Sequence, residues 1–207
     1  MIKPKDYDNV QEFTTSAPLP PGGYVCRIMA VEETTAKTSG APMLKISLEI
    51  AEGEHKGFYA NMYRSDTRQD KKWGCVVNQL VYDTSGATSR GFKTFNTAVE
   101  HSNSGFKIAW GDNYAACFKN KLIGGIFRRE QFRADDGSLR FTTKCYMFRS
   151  ADEIRKGVKV PPDKLLDGST SSSSSASSMP FGAPSNVPGN VDLSEYEEVI
   201  PDENLPF

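Results

Sequence analysis

The stretch Met43 to Ile50 constrains this chain more than any other. Leu44, Ile46, Leu48 and Ile50 alternate strictly with Lys45, Ser47 and Glu49. A period of two fits an extended strand, not a helix. One apolar face must be covered, and the backbone needs neighbouring strands to satisfy its donors and acceptors. The chain is therefore committed to a sheet, with the Lys45 face turned to solvent or a ligand.

The flanking residues supply partners for that strand. Pro20-Pro21-Gly22-Gly23 reads as a turn, and Tyr24 to Glu33, rich in Val, Ile, Tyr and Cys, reads as a strand. Thr34 to Pro42 is a loop containing Lys37, and residues 52–57 form another turn. Phe58 to Arg64 alternates again and predicts a third strand, with Phe58, Ala60 and Met62 inward and Tyr59, Asn61 and Tyr63 outward.

Helical spacing follows. Trp73, Val76, Val77, Leu80 and Val81 predict a helix over 72–83. Phe92, Phe95 and Val99 predict a second over 92–102, and residues 112–119 a further turn. Lys121 to Arg133 reads as a strand, with Gly124-Gly125 marking a bulge or bend. Asp135-Asp136-Gly137 turns the chain into a partner strand, Leu139 to Arg149. Ser150 to Glu153 is a capping box, and Gly157 follows the end of its short helix.

Three strands, a helical insertion and a two-strand hairpin make a mainly β domain. That is the element order of an OB-fold, a five-stranded Greek-key barrel; other small α+β barrels share it. The expected organisation is a lead-in over 1–21, this domain over 22–167, a linker over 168–190 and a tail over 191–207. Ser169 to Ser178 is nearly all serine and threonine, and Met179 to Gly189 alternates Pro, Gly and small residues, as disordered linkers do. A flexible tether of roughly 23 residues spans about 25–30 Å on average.

Charge divides at the same boundary. Residues 1–167 hold 25 basic against 20 acidic side chains, a net of +5, while 168–207 hold six acids and no base. A basic body suits a polyanion, and an acidic tail can compete for the same surface. Cys26, Cys75, Cys117 and Cys145 show no paired spacing, and only His55 and His101 could join them. Neither a metal nor another cofactor is expected, and the thiols read as reduced in a cytoplasmic protein. No apolar run approaches membrane-spanning length, and no signal peptide is expected at the first residues.

The candidate site residues are cations interleaved with rings. Lys37 lies in the first loop, Lys45 on the outer face of the second strand, and Tyr59, Tyr63 and Arg64 on or beside the third. On the hairpin, Arg129 and Arg133 share one face, Arg140, Lys144 and Tyr146 another, and Phe132 lies near the tip. Rings stack on exposed bases while cations meet phosphates, and a duplex hides its base faces, so this pattern suits single strands. Catalysis finds little support. No phosphate-cradling glycine loop is present, His55 sits in a turn without a nucleophile beside it, and His101 suits a helix C-terminus.

The last six residues are Asp202-Glu203-Asn204-Leu205-Pro206-Phe207. They place acids beside an apolar Leu-Pro-Phe, which suits a pocket with a basic rim and an apolar floor. This ending resembles that of the single-stranded DNA-binding protein (SSB) family, whose tails close on an acidic run, an apolar residue, Pro and Phe. Asp202, Glu203, Leu205, Pro206 and Phe207 match; Asn204 stands where an acid is usual, so the tip is one charge short. The body looks more like a phage or prophage type than a bacterial one.

The resemblance implies a non-catalytic protein that coats single-stranded DNA with little sequence preference in replication, recombination or repair. It implies that Asp202, Glu203, Leu205, Pro206 and Phe207 recruit replication and repair proteins, and it is compatible with a homo-oligomer. Two other readings fit the same residues: an RNA-binding or strand-annealing OB-fold protein, and an adaptor that uses the tail as a docking peptide without binding nucleic acid.

Overall fold

A computed structural model describes residues 3–5, 7 and 17–166. The expected linker and the tip residues Asp202, Glu203, Leu205, Pro206 and Phe207 lie outside the described residues. Five antiparallel strands form one sheet: β1 (Gly22–Thr35), β2 (Pro42–Ile50), β3 (Val76–Leu80), β4 (Leu122–Arg133) and β5 (Leu139–Arg149). Their order is β3-β2-β1-β4-β5. Four helices accompany them: α1 (Phe58–Ser65), α2 (Arg90–Ser102), α3 (Tyr114–Cys117) and α4 (Ala151–Arg155). No helix among the described residues is long and apolar enough to cross a membrane.

The alternating strand behaves as its pattern demands. Leu44, Ile46, Leu48 and Ile50 are all buried, and they join Ile28, Phe95, Phe118, Ile123 and Phe127 in the main core. α2 covers that core from above β4 and β5. It begins at Ser89, whose Oγ accepts from the Phe92 amide at 3.1 Å. A smaller cluster of Val25, Ile126, Ala151 and Ile154 lies under α4. Its helix starts with the expected capping box: Ser150 Oγ accepts from the Glu153 amide, and the Glu153 carboxylate accepts from the Ser150 amide.

Two elements exchange the roles expected of them. Residues 58–65 are helix α1, not a strand, and Tyr59 is buried at 4% exposure. The cause lies on another strand. Glu49, expected on the solvent face, is buried, and its carboxylate accepts from the Ile50, Tyr59 and Ala60 amides at 2.8, 3.0 and 2.5 Å. A carboxylate on the first-turn amides stabilises a helix at its positive end. Gly57, at φ 77°, turns the chain into it.

The helix expected over 72–83 is instead the edge strand β3, flanked by irregular chain. Val76 to Leu80 pairs with Ser47 to Met43, satisfying the free edge of β2. Trp73 does not open a helix; its Nε1 donates to the Leu48 carbonyl at 2.7 Å.

The glycine pair in β4 marks close packing. A Cβ on Gly124 would lie 2.7 Å from the Ser150 carbonyl oxygen and 2.9 Å from that of Arg149. The register shift falls two residues on, between Ile126 and Phe127. The expected lead-in also reaches into the body: Leu19 is buried in the core, and its carbonyl accepts from Thr143 Oγ1 at 2.6 Å.

Two predictions follow from this packing. Replacing Glu49 by Ala strips three amides of one acceptor, so urea unfolding should show a loss of about 3 kcal/mol. A loss below about 0.5 kcal/mol would show that α1 docks without the carboxylate.

The second concerns alkaline pH. Burial pushes the Cys26 and Cys145 thiols well above their ordinary range and Cys75 up to about 12. A thiol raised by folding keeps its proton in the native state after the unfolded chain has lost its own. Its stabilisation is complete below the unfolded pKa of about 8.5 and is lost as pH climbs towards the folded value. Denaturant midpoints should fall from about pH 9 upwards, at up to about 1.4 kcal/mol per pH unit for each thiol. Midpoints constant to about pH 11 would contradict this.

Candidate nucleic-acid interface

The hairpin of β4 and β5 outruns the rest of the sheet. β1 pairs with β4 only from Gly22↔Phe127 to Arg27↔Leu122, whereas β4 and β5 stay paired out to Arg133↔Leu139. The sequence changes character at that step. Ile123 to Phe127 are buried, and Arg128-Arg129 follow at once. Past Phe127, the edge of β4 left by β1 meets a later segment. The Lys164 amide donates to the Arg129 carbonyl at 2.9 Å, and the Gln131 amide donates to the Lys164 carbonyl at 2.8 Å.

Both faces of this projecting hairpin set a guanidinium over a ring. On one face, Arg128 lies 3.9 Å from the centre of the Tyr146 ring, with Glu130 at 3.2 Å from its Nε. Lys144 stands opposite Arg128 and 3.9 Å from the same Glu130 carboxylate. Phe132 pairs with Arg140 nearer the tip. On the other face, Arg129 lies 5.1 Å from the centre of Phe141 and forms a two-point ion pair with Asp163. Phe141 is the diagonal neighbour of Arg129, one pleat beyond Thr143. Each guanidinium lies over its ring, and Tyr146 and Phe141 remain 38% and 42% exposed.

The tip is held by its own turn. Asp136 accepts from the Ser138 hydroxyl at 2.5 Å and from Arg140 at 2.6 Å. The Ser138 hydroxyl and amide, with Arg140 adding, hold the Asp136 carboxyl below its usual range. Arg133 donates to the Gly137 carbonyl at 3.1 Å across the turn.

The hairpin thus gathers Arg129, Phe132, Arg133, Arg140, Lys144 and Tyr146 of the expected site. Five others lie elsewhere. Lys37 is exposed in the β1–β2 turn, at the far end of β1 from the hairpin. Lys45 is on the outer face of β2, 3.2 Å from Glu32. Tyr63 and Arg64 belong to α1, where Lys71 lies 4.6 Å above the Tyr63 ring and Trp73 is beside it at 5.7 Å. Arg64 donates to Asn61 at 3.3 Å. Tyr59 faces the core, because the helix turns it against Cys75 rather than outwards; burial raises its hydroxyl well above the usual range.

Arg128, Phe141 and Asp163 are the members that sequence reasoning did not place here. Alternation across the hairpin could have found Phe141, since Gln131 and Phe141 are register partners on the Arg129 face. Asp163 carries no local signal; it arrives by the late segment that pairs with β4.

Residues 5–103 match the model of a family described as "Protein of unknown function (DUF669)". The match runs from before β1 to the end of α2 and stops short of the hairpin. No curated protein matches the chain.

Proposed function

We propose that this protein is a non-catalytic single-stranded DNA-binding protein whose main grip is the projecting β4–β5 hairpin. The observation that carries this reading is the pairing of Arg128 with Tyr146 and of Arg129 with Phe141, one pair on each face. Unpaired bases present flat faces that stack on such rings, and the more exposed cations Arg129, Arg140 and Lys144 reach the flanking phosphates. Duplex bases are already stacked and offer no such face.

The sheet order is compatible with an OB-fold. β1 is shared by two runs of strands, β1-β2-β3 on one side and β1-β4-β5 on the other, as in a partly open Greek-key barrel. The intramolecular ion pairs of the hairpin do not oppose the reading. The Arg140–Asp136 pair is exposed on both sides, and such pairs are worth only about 0–1 kcal/mol, so a phosphate can take over that cation at little cost. The tip residues Asp202, Glu203, Leu205, Pro206 and Phe207 would then call other replication or repair proteins to the coated strand in the cytoplasm.

Titration of a labelled oligo(dT) across salt concentrations tests the reading. The affinity should exceed that for a duplex of equal length. Its logarithm should fall with the logarithm of salt by about 0.7 for each phosphate neutralised. Phe141→Ala and Tyr146→Ala should each lose about 1–3 kcal/mol of binding. Equal affinity for duplex, or no loss in either variant, would overturn the hairpin assignment.

A further inference from the structure

A second aromatic site lies away from the hairpin. Trp110 is 67% exposed, although it sits between two elements of the fold. One face stacks on Tyr114, with ring centres 5.1 Å apart and planes 18° from parallel, and Phe92 supports it at 6.4 Å. Tyr114 in turn is buried against Phe118. The indole is therefore held flat by a buried ring while its surface stays open to solvent.

That surface borders a cleft of about 480 Å³, lined among others by Tyr82, Phe92, Lys93, Asn96, Glu100 and Trp110. Tyr82 is a second exposed ring, fixed by its bridge to Thr88. Asn96 is buried at 4% exposure, and its Oδ1 accepts from the Tyr114 hydroxyl at 2.8 Å. Its side chain also lines the cleft. One turn on, one oxygen of the Glu100 carboxylate accepts from the Ile108 amide at 3.3 Å, and the other lies 3.9 Å from Lys107 Nζ.

We propose that this cleft takes one unpaired nucleobase of the strand bound by the hairpin. The ring face of the base would stack on Trp110, and its edge would meet the Asn96 donor and the Glu100 acceptor, with Lys93 near the flanking phosphate. A base edge carries both donors and acceptors, which suits a cleft lined by the polar side chains of Asn96 and Glu100. The cleft lies past the end of β3 at Leu80, which pairs with Met43 beside the β1–β2 turn, whereas the hairpin tip lies beyond the start of β1. A strand using both sites runs from one end of β1 towards the other, and Lys37 lies at the cleft end.

This inference rests on the single-strand reading, and the test separates the two. The full chain is titrated with labelled oligo(dT), following the anisotropy of the label and tryptophan emission. Trp110 emission should be quenched on binding, and the quenching should shrink in Trp110→Phe. Trp110→Ala and Tyr82→Ala, both at exposed positions, should each weaken binding about five- to 150-fold with unchanged unfolding midpoints. Unchanged affinity and quenching in these variants would overturn the cleft assignment and leave the hairpin standing. Weakened binding in them, with none in Phe141→Ala or Tyr146→Ala, would keep the cleft and overturn the hairpin. No binding by the parent chain to any single strand would overturn both.

Discussion

The pairing of β1 with β4 stops at Gly22 and Phe127, and the rest of the arrangement depends on that limit. On the paired side, β4 is buried and contributes Ile123 and Phe127 to the core. Beyond it, the same strand continues without β1 and without the core. Side chains there need only suit water, one another and the partner strand. A hairpin of two strands alone is marginal in water. Here it is extended from a folded sheet, gripped at one edge by Lys164 and crossed by ion pairs to Glu130, Asp136 and Asp163. The projection can therefore expose Phe141 and Tyr146 without collapsing onto them.

The carboxylates of the hairpin set how it can work. Arg129, Arg140 and Lys144 each have an acid close by, so a strand bound as proposed would displace partners there, whereas Arg133 donates to the Gly137 carbonyl. Arg128 is mostly enclosed between Tyr146 and Glu130, whereas Arg129, Arg140 and Lys144 are about half exposed. The exposed three are suited to exchange, and Arg128 to holding Tyr146 in place. In the proposed complex, stacking would supply what weak, screened charges do not.

Much of this was legible in the sequence, and the parts that were not share one cause. β1, β2, α2, β4, β5 and the Ser150 capping box were readable because their signals are local: alternation, helical spacing, turn residues and caps. Residues 58–64 were not, because Phe58 to Arg64 fits both a two-residue and a helical period, and a carboxylate nine residues upstream decides between them. Residues 72–83 failed for the matching reason. Their helical spacing is overridden by the unpaired edge of β2. The hairpin residues lie on the faces read for them because face and register follow from alternation about a turn. Tyr59 did not survive, since its expected exposure depended on a strand that is a helix. Trp110 passed unnoticed because nothing local distinguishes an exposed tryptophan from a core one.

The most direct measurement is amide hydrogen exchange of the full chain with and without a saturating unpaired oligonucleotide. The account predicts slower exchange along the hairpin from Arg128 to Tyr146, with the β2–β3 edge and α1 unchanged. Slower exchange confined to α1 and the β2–β3 edge, with residues 128–146 unaffected, would contradict it.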